Sequence, residues 1–244
     1  MFSQQRYLVI GGSSGIGLAV AKILQEKQNQ VIVVGSNSNK LTRIQTEYPD
    51  MQLIQADLSE PGTVSDIFNH ISASPLGVLD GMVYAAGISP FCLLKDNSFE
   101  LALQVFRVNF FSFLECCRYF YKPEYGKDGS HIVAVSSIAS KSGGYRQVLY
   151  GSSKAAMNSA VRLMANELLN RKIMINAILP GAVETDLFKE MCRHSDNLPE
   201  KTESRQRLGV LKPEDVALEI INMLSPHYRV TGREVYFDAG TGLI

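Results

Sequence analysis

The 244-residue sequence contains no tryptophan, only four cysteines, and no excess of charge of either sign. Its 24 basic residues balance its 24 acidic residues, so neither nucleic acid nor an anionic membrane surface is an expected partner. The cysteines show no C-x-x-C spacing, which argues against disulfides and zinc and predicts reduced thiols. They are Cys92, Cys116, Cys117 and Cys192. Any anionic ligand must therefore be bound by local features.

Long hydrophobic runs are also missing. No stretch approaches the roughly 20 apolar residues that a membrane-spanning helix needs, and the first apolar run is too short for a signal peptide. These absences predict a cytoplasmic protein with no membrane partner. The four histidines are scattered without metal-ligand spacing, so no metal site is expected.

What the chain does contain is a regular alternation of β-branched runs and helical patterns. The runs predict strands at 7–11, 30–35, 51–56, 79–87, 130–137, 173–181 and 233–240. Apolar spacings of three and four predict helices at 16–27, 38–47, 61–73, 97–121, 148–170 and 213–224. This alternation predicts an α/β fold: a doubly wound (Rossmann) seven-stranded parallel sheet with helices on both faces.

Neither a repeat nor a linker divides the chain, and hydrophobic residues make up 45% of it, so 1–244 is predicted to be a single domain. The segment at about 182–211 is charged and has no clear periodicity. A loop of that length in a compact domain is usually functional, which predicts a substrate loop or lid. The alternative is a solvated insertion.

Three glycines follow the first strand and open the first helix. Gly11, Gly15 and Gly17 permit positive φ and close backbone approach, and the free amides of a helix start favour a phosphate. A dinucleotide pyrophosphate suits this position, whereas a purely structural tight turn is the alternative. The candidate cofactor-binding residues of this turn are Gly11, Ser13, Ser14, Gly15, Ile16 and Gly17.

A dinucleotide crosses the carboxyl ends of the strands in a doubly wound sheet, so the strand ends provide the remaining candidates. They are Ser36, Asn37, Asp57, Leu58, Ala85, Ala86, Gly87, Pro180, Gly181, Val183 and Thr185. The small residues at 85–87 would let a ligand pass over the backbone, although close helix packing explains them equally well. Asp57 is expected either to accept a hydrogen bond from the adenine amine or to cap the following helix.

A tyrosine and a lysine stand four residues apart in a predicted helix. Tyr150 and Lys154 would share one helix face, with the lysine charge close to the phenol oxygen. Because the chain has ten tyrosines, such a pair is also expected by chance. The pair indicates a catalytic site only if the surrounding motifs belong to the same site.

These residues together resemble the short-chain dehydrogenase/reductase family, in its short, single-domain branch, over about 6–240. The motifs that carry the resemblance are the glycine turn, "ADLS" with Asp57, "YAAG" at 84–87, "RVNFF" with Asn109, Ser137 thirteen residues before Tyr150, Y-x-x-x-K, and "PGAVET" at 180–185. Enzymes that reduce 3-oxoacyl groups are the nearest guess within the family.

The resemblance implies an NAD(P)-dependent oxidoreductase that moves a hydride between nicotinamide and a ketone, aldehyde or secondary alcohol. Tyr150 would be the general acid or base. Lys154, together with the positive nicotinamide ring of the oxidised cofactor, would lower the phenol pKa toward 7, and Lys154 would also bind the ribose. Ser137 would hydrogen-bond the substrate oxygen, and Asn109 would hold a water that connects the lysine to solvent. A non-catalytic dinucleotide-binding regulator and an enoyl reductase are the alternatives.

The sequence departs from the family pattern beside the cofactor-binding turn. Ile10 stands where a threonine is usual, and Tyr84 with Ala85 stand where asparagines are usual. These changes are expected to remove hydrogen bonds that tie the cofactor-side loops together.

The preference between NADP and NAD depends on the end of the second strand. No acid stands there to bind a ribose 2′-hydroxyl, and Ser36, Asn37 and Lys40 could bind a 2′-phosphate, which favours NADP. Ser14, where many NADP-using relatives carry a basic residue, points mildly toward NAD.

The substrate side is expected to be apolar, and the long helices are expected to form a subunit interface. The predicted pocket residues are Ile88, Phe91, Tyr145, Leu187, Phe188 and Met191, beside Ser137. Apolar faces that exceed one sheet contact predict a homo-oligomer, either a tetramer or a dimer. The residues in question are Phe106, Phe110, Phe111, Leu114, Ala155, Ala156, Ala160, Val161 and Ala165.

Overall fold

The computed structural model describes residues 4–73, 77–193, 202 and 204–241, and it confirms the predicted α/β fold. The strands are β1 Arg6–Ile10, β2 Gln30–Gly35, β3 Gln52–Gln55, β4 Leu79–Tyr84, β5 Gly126–Val135, β6 Met174–Pro180 and β7 Glu234–Phe237. They form one sheet in the order β3-β2-β1-β4-β5-β6-β7, and every neighbouring pair is parallel. The order reverses direction at β1 and β4, which places a ligand crevice at their carboxyl ends.

Eight α-helices cover the two faces of this sheet in the described part of the chain. They are α1 Gly15–Glu26, α2 Ser38–Glu47, α3 Thr63–Ser72, α4 Phe99–Phe106, α5 Ser112–Phe120, α6 Val148–Leu168, α7 Asp186–Arg193 and α8 Pro213–Met223. Strand β1 is buried on both sides: Leu8 packs into the core under α3, α5 and α6, while Val9 packs into the core under α1 and α8. Burial on both faces explains why the strands read as continuous apolar runs.

The structure corrects the predicted helix over 97–121. Two α-helices, α4 and α5, are joined there by a π-helical stretch at Arg107–Phe111. The π-helical stretch has only five residues, which is too short to show its own apolar period, so periodicity could not detect the change. Such a π-helical insertion is frequent at functional sites, and this one carries Asn109, which is fully buried.

The segment predicted as an aperiodic loop over 182–211 contains helix α7 at Asp186–Arg193. This helix has only eight residues, and several of them are charged and exposed, so its apolar face is too short to give a clear period. The positions 194–201 and 203 of the predicted lid lie outside the described residues.

The cysteines are free thiols in the structure. Cys116 and Cys117 are buried, and Cys92 and Cys192 are half-buried. Among the described residues, no group of three or more His, Cys, Asp or Glu side chains could hold a metal ion. Likewise, none of the helices described is both long enough and apolar enough to cross a membrane.

The helix faces differ in part from the predicted interface. Ala160, Val161 and Ala165 are buried in the core of the subunit, so they cannot contact a second subunit. The apolar residues left on the surface near α4 are Phe99, Leu103 and Phe111, of which Phe99 is 77% exposed. The reason for the difference is that α6 packs one face into the core of its own subunit, while its opposite face, which includes Ala155 and Leu163, stays exposed.

Candidate active site

A cleft of about 690 Å³ opens along the carboxyl ends of the strands. It brings together the glycine turn, the ends of β2 to β6 and the start of α7. The predicted site residues that line it are Gly11, Ser13, Ser14, Gly15, Ile16, Gly17, Ser36, Asp57, Leu58, Ala85, Ala86, Gly87, Ser137, Tyr150, Lys154, Pro180, Gly181, Val183 and Thr185. A single cleft therefore has room for a nucleotide and for the reacting groups.

The glycine turn is packed too tightly for side chains. Gly11 has a φ of +79°, and a Cβ there would lie 2.4 Å from the amide nitrogen of Ala86. A Cβ on Gly17 would lie 2.3 Å from the carbonyl oxygen of Gly11. Ser14 precedes α1 without capping it, and the first turn of α1 has no acidic residue. The start of α1 is therefore suited to an anionic group such as a pyrophosphate.

Tyr150 and Lys154 lie on α6 and are almost completely buried, at 8% and 3% exposure. The Nζ of Lys154 lies 5.8 Å from the centre of the Tyr150 ring and donates a hydrogen bond of 2.8 Å to the carbonyl oxygen of Val135. That carbonyl belongs to the last residue of β5. The end of the central strand thus holds the lysine at the floor of the cleft.

Ser137 stands two residues past the end of β5 and reaches the same place. Its hydroxyl is close enough to the phenol of Tyr150 to lower the pKa of that phenol, and its Oγ accepts a hydrogen bond of 3.1 Å from the amide of Ala139. The hydrogen bond from Ala139 holds the serine Oγ in place. Two hydroxyl groups therefore meet at one point of the cleft wall, where a carbonyl oxygen could accept a hydrogen bond from each.

Burial shifts the pKa values of Tyr150 and Lys154 in the cofactor-free protein. Burial raises the pKa of Tyr150 above its usual value of 10.0, and the hydrogen bond from Ser137 offsets this only in part. Burial also lowers the pKa of Lys154 from 10.5 to about 7. Removal from water disfavours the charged forms of both groups. Desolvation therefore opposes the attraction between the lysine charge and the phenolate.

Asn109 lies behind the cleft rather than on its surface. Its Oδ1 accepts from the amide of Ile88 at 2.8 Å, and its Nδ2 donates to the Ile88 carbonyl at 3.0 Å and to Ser153 Oγ at 2.9 Å. A Cβ on Gly87 would lie 3.4 Å from Lys154 Nζ and 3.5 Å from Asn109 Oδ1, so the asparagine is a near neighbour of the lysine. Its observed role is to fix the segment after β4.

Ser153 is a site residue that the sequence argument missed. Its hydroxyl donates to the Tyr150 carbonyl at 2.7 Å and accepts from Asn109, which ties α6 to the π-helical stretch. A serine three residues after the tyrosine on one helix face was the available signal. Other cleft residues were missed because only the tertiary fold places them there, and these are Gln147, Thr202, Arg205 and Gln206.

The departures from the family pattern are compensated in the structure. Tyr84 is completely buried, and its hydroxyl donates to the carbonyl of Val108, next to Asn109. The amide of Ala85 donates to the carbonyl of Ile10 at 2.7 Å. The buried phenol and the backbone thus connect these segments without the hydrogen bonds expected to be lost at Ile10 and Ala85.

Three polar residues on the nucleotide side have partners that the sequence did not predict. Asn37 lies outside the cleft lining and caps α2, where its Oδ1 accepts from the amide of Lys40 at 3.0 Å. Lys40 Nζ forms an ion pair of 2.7 Å with Asp186. Asp57 accepts from the amide and hydroxyl of Ser59, and α3 begins only after Gly62, so Asp57 does not cap that helix.

The substrate side of the cleft is apolar. Its lining includes Ile88, Phe91, Tyr145, Leu187, Phe188 and Met191. Tyr145 stands at the rim and is 72% exposed. The pocket beside Tyr150 and Ser137 is thus shaped for a molecule with a substantial apolar part.

Comparison with protein families assigns the class. The model of the short chain dehydrogenase family matches residues 5–196, which is most of the chain and includes the glycine turn, Ser137, Tyr150 and Lys154. The chain therefore belongs to the short-chain dehydrogenase family.

Individual relatives agree with this assignment over the full length. The chain is 31% identical to carbonyl reductase family member 4 of Xenopus laevis, across 96% of this chain and 97% of that protein. It is 28% identical to the 3-oxoacyl-[acyl-carrier-protein] reductase FabG of Rickettsia typhi, across 98% and 97%. A short chain dehydrogenase from Burkholderia cenocepacia J2315, solved in complex with NADP, superposes with a TM-score of 0.88 at 26% identity, covering 98% of each chain.

Proposed function

We propose that this protein is an NADP-dependent carbonyl reductase in which Tyr150 is the general acid. The observation that carries the proposal is the meeting of the Tyr150 and Ser137 hydroxyls above the buried Lys154, in the same cleft as the glycine turn. NADPH, when bound, supplies a hydride to the carbonyl carbon of the substrate.

The two hydroxyls have different tasks. Ser137 donates a hydrogen bond to the substrate oxygen and stabilises the negative charge that develops on it. Tyr150 transfers its proton to the same oxygen. Because burial raises the pKa of Tyr150, the phenol is protonated at neutral pH, which suits reduction. Oxidation of an alcohol would need the phenolate, which a charged Lys154 stabilises.

NADP is favoured over NAD by the end of β2. Gly35 and Ser36 leave no carboxylate there to repel a 2′-phosphate, and the Burkholderia relative was solved with NADP. Lys40 is the nearest cation by sequence, but its ion pair with Asp186 must open before it can contact a phosphate. The predicted NAD alternative is tested by comparing the two cofactors directly.

The substrate is proposed to be a ketone or aldehyde with a large apolar part. Support comes from the apolar lining of the pocket and from the names of the relatives, which include a carbonyl reductase and a 3-oxoacyl-[acyl-carrier-protein] reductase. The described part of α7 borders this pocket through Leu187 and Phe188, as a substrate lid would.

The test is oxidation of NADPH, followed at 340 nm, with a panel of apolar ketones, aldehydes and 3-oxoacyl thioesters. We expect the Tyr150→Phe variant to lose at least about 100-fold in kcat with little change in NADPH affinity, since one proton-transfer group contributes about that much or more. Tyr121→Phe, on the surface, is the matched control. A Tyr150→Phe variant as fast as wild type refutes the mechanism. NADPH binding without turnover of any compound would favour the non-catalytic alternative.

We also propose that the protein forms homo-oligomers, either dimers or tetramers, in the cytoplasm. The exposed apolar side chains Phe99, Leu103 and Phe111 support contact with a second copy. Light scattering after size-exclusion chromatography tests this, and Phe99→Asp should shift the mass toward the monomer. A wild-type mass near the 26.9 kDa of one chain would refute it.

A further inference from the structure

Gln206 is a buried polar residue beside the cleft that the mechanism above does not use. It is only 2% exposed and lies within the segment at about 182–211 that is predicted to act as a lid. Its backbone amide donates to the carbonyl of Thr202 at 2.7 Å, and its side chain points to the loop after β6. That loop begins with Pro180 and Gly181 and forms part of the cleft wall.

Every hydrogen-bonding group of the Gln206 amide is paired. Oε1 accepts from the amide nitrogen of Ala182 at 2.8 Å, and Nε2 donates to the carbonyl of Ala182 at 2.9 Å and to that of Gly209 at 2.8 Å. Exchanging the oxygen and nitrogen of the side chain would place an acceptor against two carbonyls, so the pairing admits one orientation. Gln206 thus binds both polar groups of a single residue in the cleft wall.

The neighbouring backbone completes this connection. The Leu211 amide donates to the Ala182 carbonyl at 3.0 Å, the Glu184 amide donates to the Leu211 carbonyl at 2.9 Å, and Val183 and Leu211 form a parallel bridge. The amide of Ala182, however, is paired through Gln206. Without this side chain, the N–H of Ala182 in the cleft wall would lose its hydrogen-bond partner.

Gly181 is shaped for the same contact. A Cβ there would lie 2.4 Å from Oε1 of Gln206 and 3.1 Å from the backbone of Asp238. The glycine therefore allows the glutamine to approach the loop closely. A side chain at position 181 would push the cleft wall away from its present place.

We propose that Gln206 is a positioning residue: it fixes the backbone at Ala182 in the wall of the cofactor cleft, and it ties the described residues after position 203 to that loop. The inference rests on the proposed function, because it takes the cleft to be the binding site of the cofactor. Its consequence is that cofactor affinity and hydride transfer depend on an amide whose hydrogen-bonding groups are all paired with the protein backbone.

The test compares Gln206→Glu and Gln206→Ala with wild type between pH 6 and pH 8. A glutamate keeps an acceptor for the Ala182 amide but, when ionised, faces two carbonyl oxygens, and its burial raises its pKa. At pH 8 we expect the NADPH dissociation constant to rise by about tenfold or more, which corresponds to the loss of one buried hydrogen bond. As the pH falls to 6, the carboxyl becomes protonated and can donate again, so the ratio of variant to wild type should return to within about threefold.

The alanine variant should lose a similar factor at every pH, because it has no group that titrates. Gln45→Glu, an exposed glutamine on α2, is the matched control and should follow wild type throughout. NADPH binding is measured by fluorescence titration, so the experiment does not depend on a known substrate. If wild type binds NADPH but reduces no carbonyl compound, the proposed function fails while the role of Gln206 is still tested.

Three results would overturn the positioning role. One is a dissociation constant equal to that of wild type for both variants. Another is a defect of Gln206→Glu that does not change with pH. The third is failure of both variants to fold, judged by circular dichroism, which would make Gln206 a determinant of folding. If only the alanine variant fails to fold, the pH dependence of NADPH binding by the glutamate variant alone decides whether Gln206 is a positioning residue.

Discussion

Replacing Lys154 by methionine should make the empty protein more stable while it abolishes turnover. The lysine is 3% exposed, and burial lowers its pKa from 10.5 to about 7. A cation that is held in a buried position before any ligand arrives opposes folding. Methionine has a similar length and carries no charge, so it removes this penalty.

The magnitude follows from the two pKa values. At pH 7 or below, a difference between 10.5 and about 7 corresponds to about 5 kcal/mol at 1.4 kcal/mol per pH unit, and its sign is destabilising. Between about pH 7 and 10.5 the unfolded chain binds more protons than the folded chain, so the stability of wild type rises with pH there. Methionine also leaves the Val135 carbonyl without its donor, which costs about 1–3 kcal/mol. A net gain of about 2–4 kcal/mol is expected at pH 7.

The assay is urea unfolding of cofactor-free protein at several pH values from 6 to 10, with Lys27→Met, an exposed lysine, as the matched control. The advantage of Lys154→Met should be largest near pH 7 and should shrink toward pH 10, where wild type no longer holds a charged lysine. The control should show no such trend. Added NADPH should stabilise wild type more than the variant, since the lysine then has partners.

Two results would refute this reasoning. If Lys154→Met is as stable as wild type or less stable at pH 7, the buried charge is not a penalty. If the difference stays constant from pH 7 to 10, protonation of Lys154 is not its cause.

Three further perturbations test other parts of the structure. Arg6→Met should raise the free energy of unfolding by about 1–3 kcal/mol in urea, because Arg6 is 2% exposed and its Nε and one terminal nitrogen have no hydrogen-bond partner among the described residues; equal or lower stability would contradict this. Gly17→Ala should weaken NADPH binding by about tenfold or more in a fluorescence titration, because its Cβ would lie 2.3 Å from the Gly11 carbonyl; unchanged binding would show that the turn yields freely. Asp186→Asn should lower the KM for NADPH by about two- to threefold and leave the KM for NADH unchanged, because it frees Lys40 from an exposed ion pair. An equal change of KM for both cofactors would rule out a role for Lys40 at the 2′-phosphate.

The sequence carried much of the fold because the relevant signals are local. Continuous apolar runs mark strands buried on both faces, and their alternation with helical periods predicted a parallel, doubly wound sheet. The bounds were less exact: β4 ends at Tyr84 and β5 at Val135, earlier than predicted. The small residues that follow them, at 85–87 and 136–137, leave the sheet and line the cleft.

The candidate site was also predictable from the sequence where its signals are local. The glycine turn, Ser137 and the spacing of Tyr150 and Lys154 were visible in the sequence because each motif is defined by short distances along the chain. Their assembly in one cleft followed from the rule that ligands bind at the carboxyl ends of such sheets.

Tertiary structure alone decided the contacts between distant segments and the electrostatic state of the buried groups. The pairing of Gln206 with Ala182 and of Lys40 with Asp186 joins positions 24 and 146 residues apart, which no local pattern encodes. The pKa directions of Tyr150 and Lys154 depend on how completely the fold removes them from water. Sequence therefore determined which chemical groups are present and on which elements they stand. Packing determined their partners and charges, because both depend on what lies across the cleft rather than along the chain.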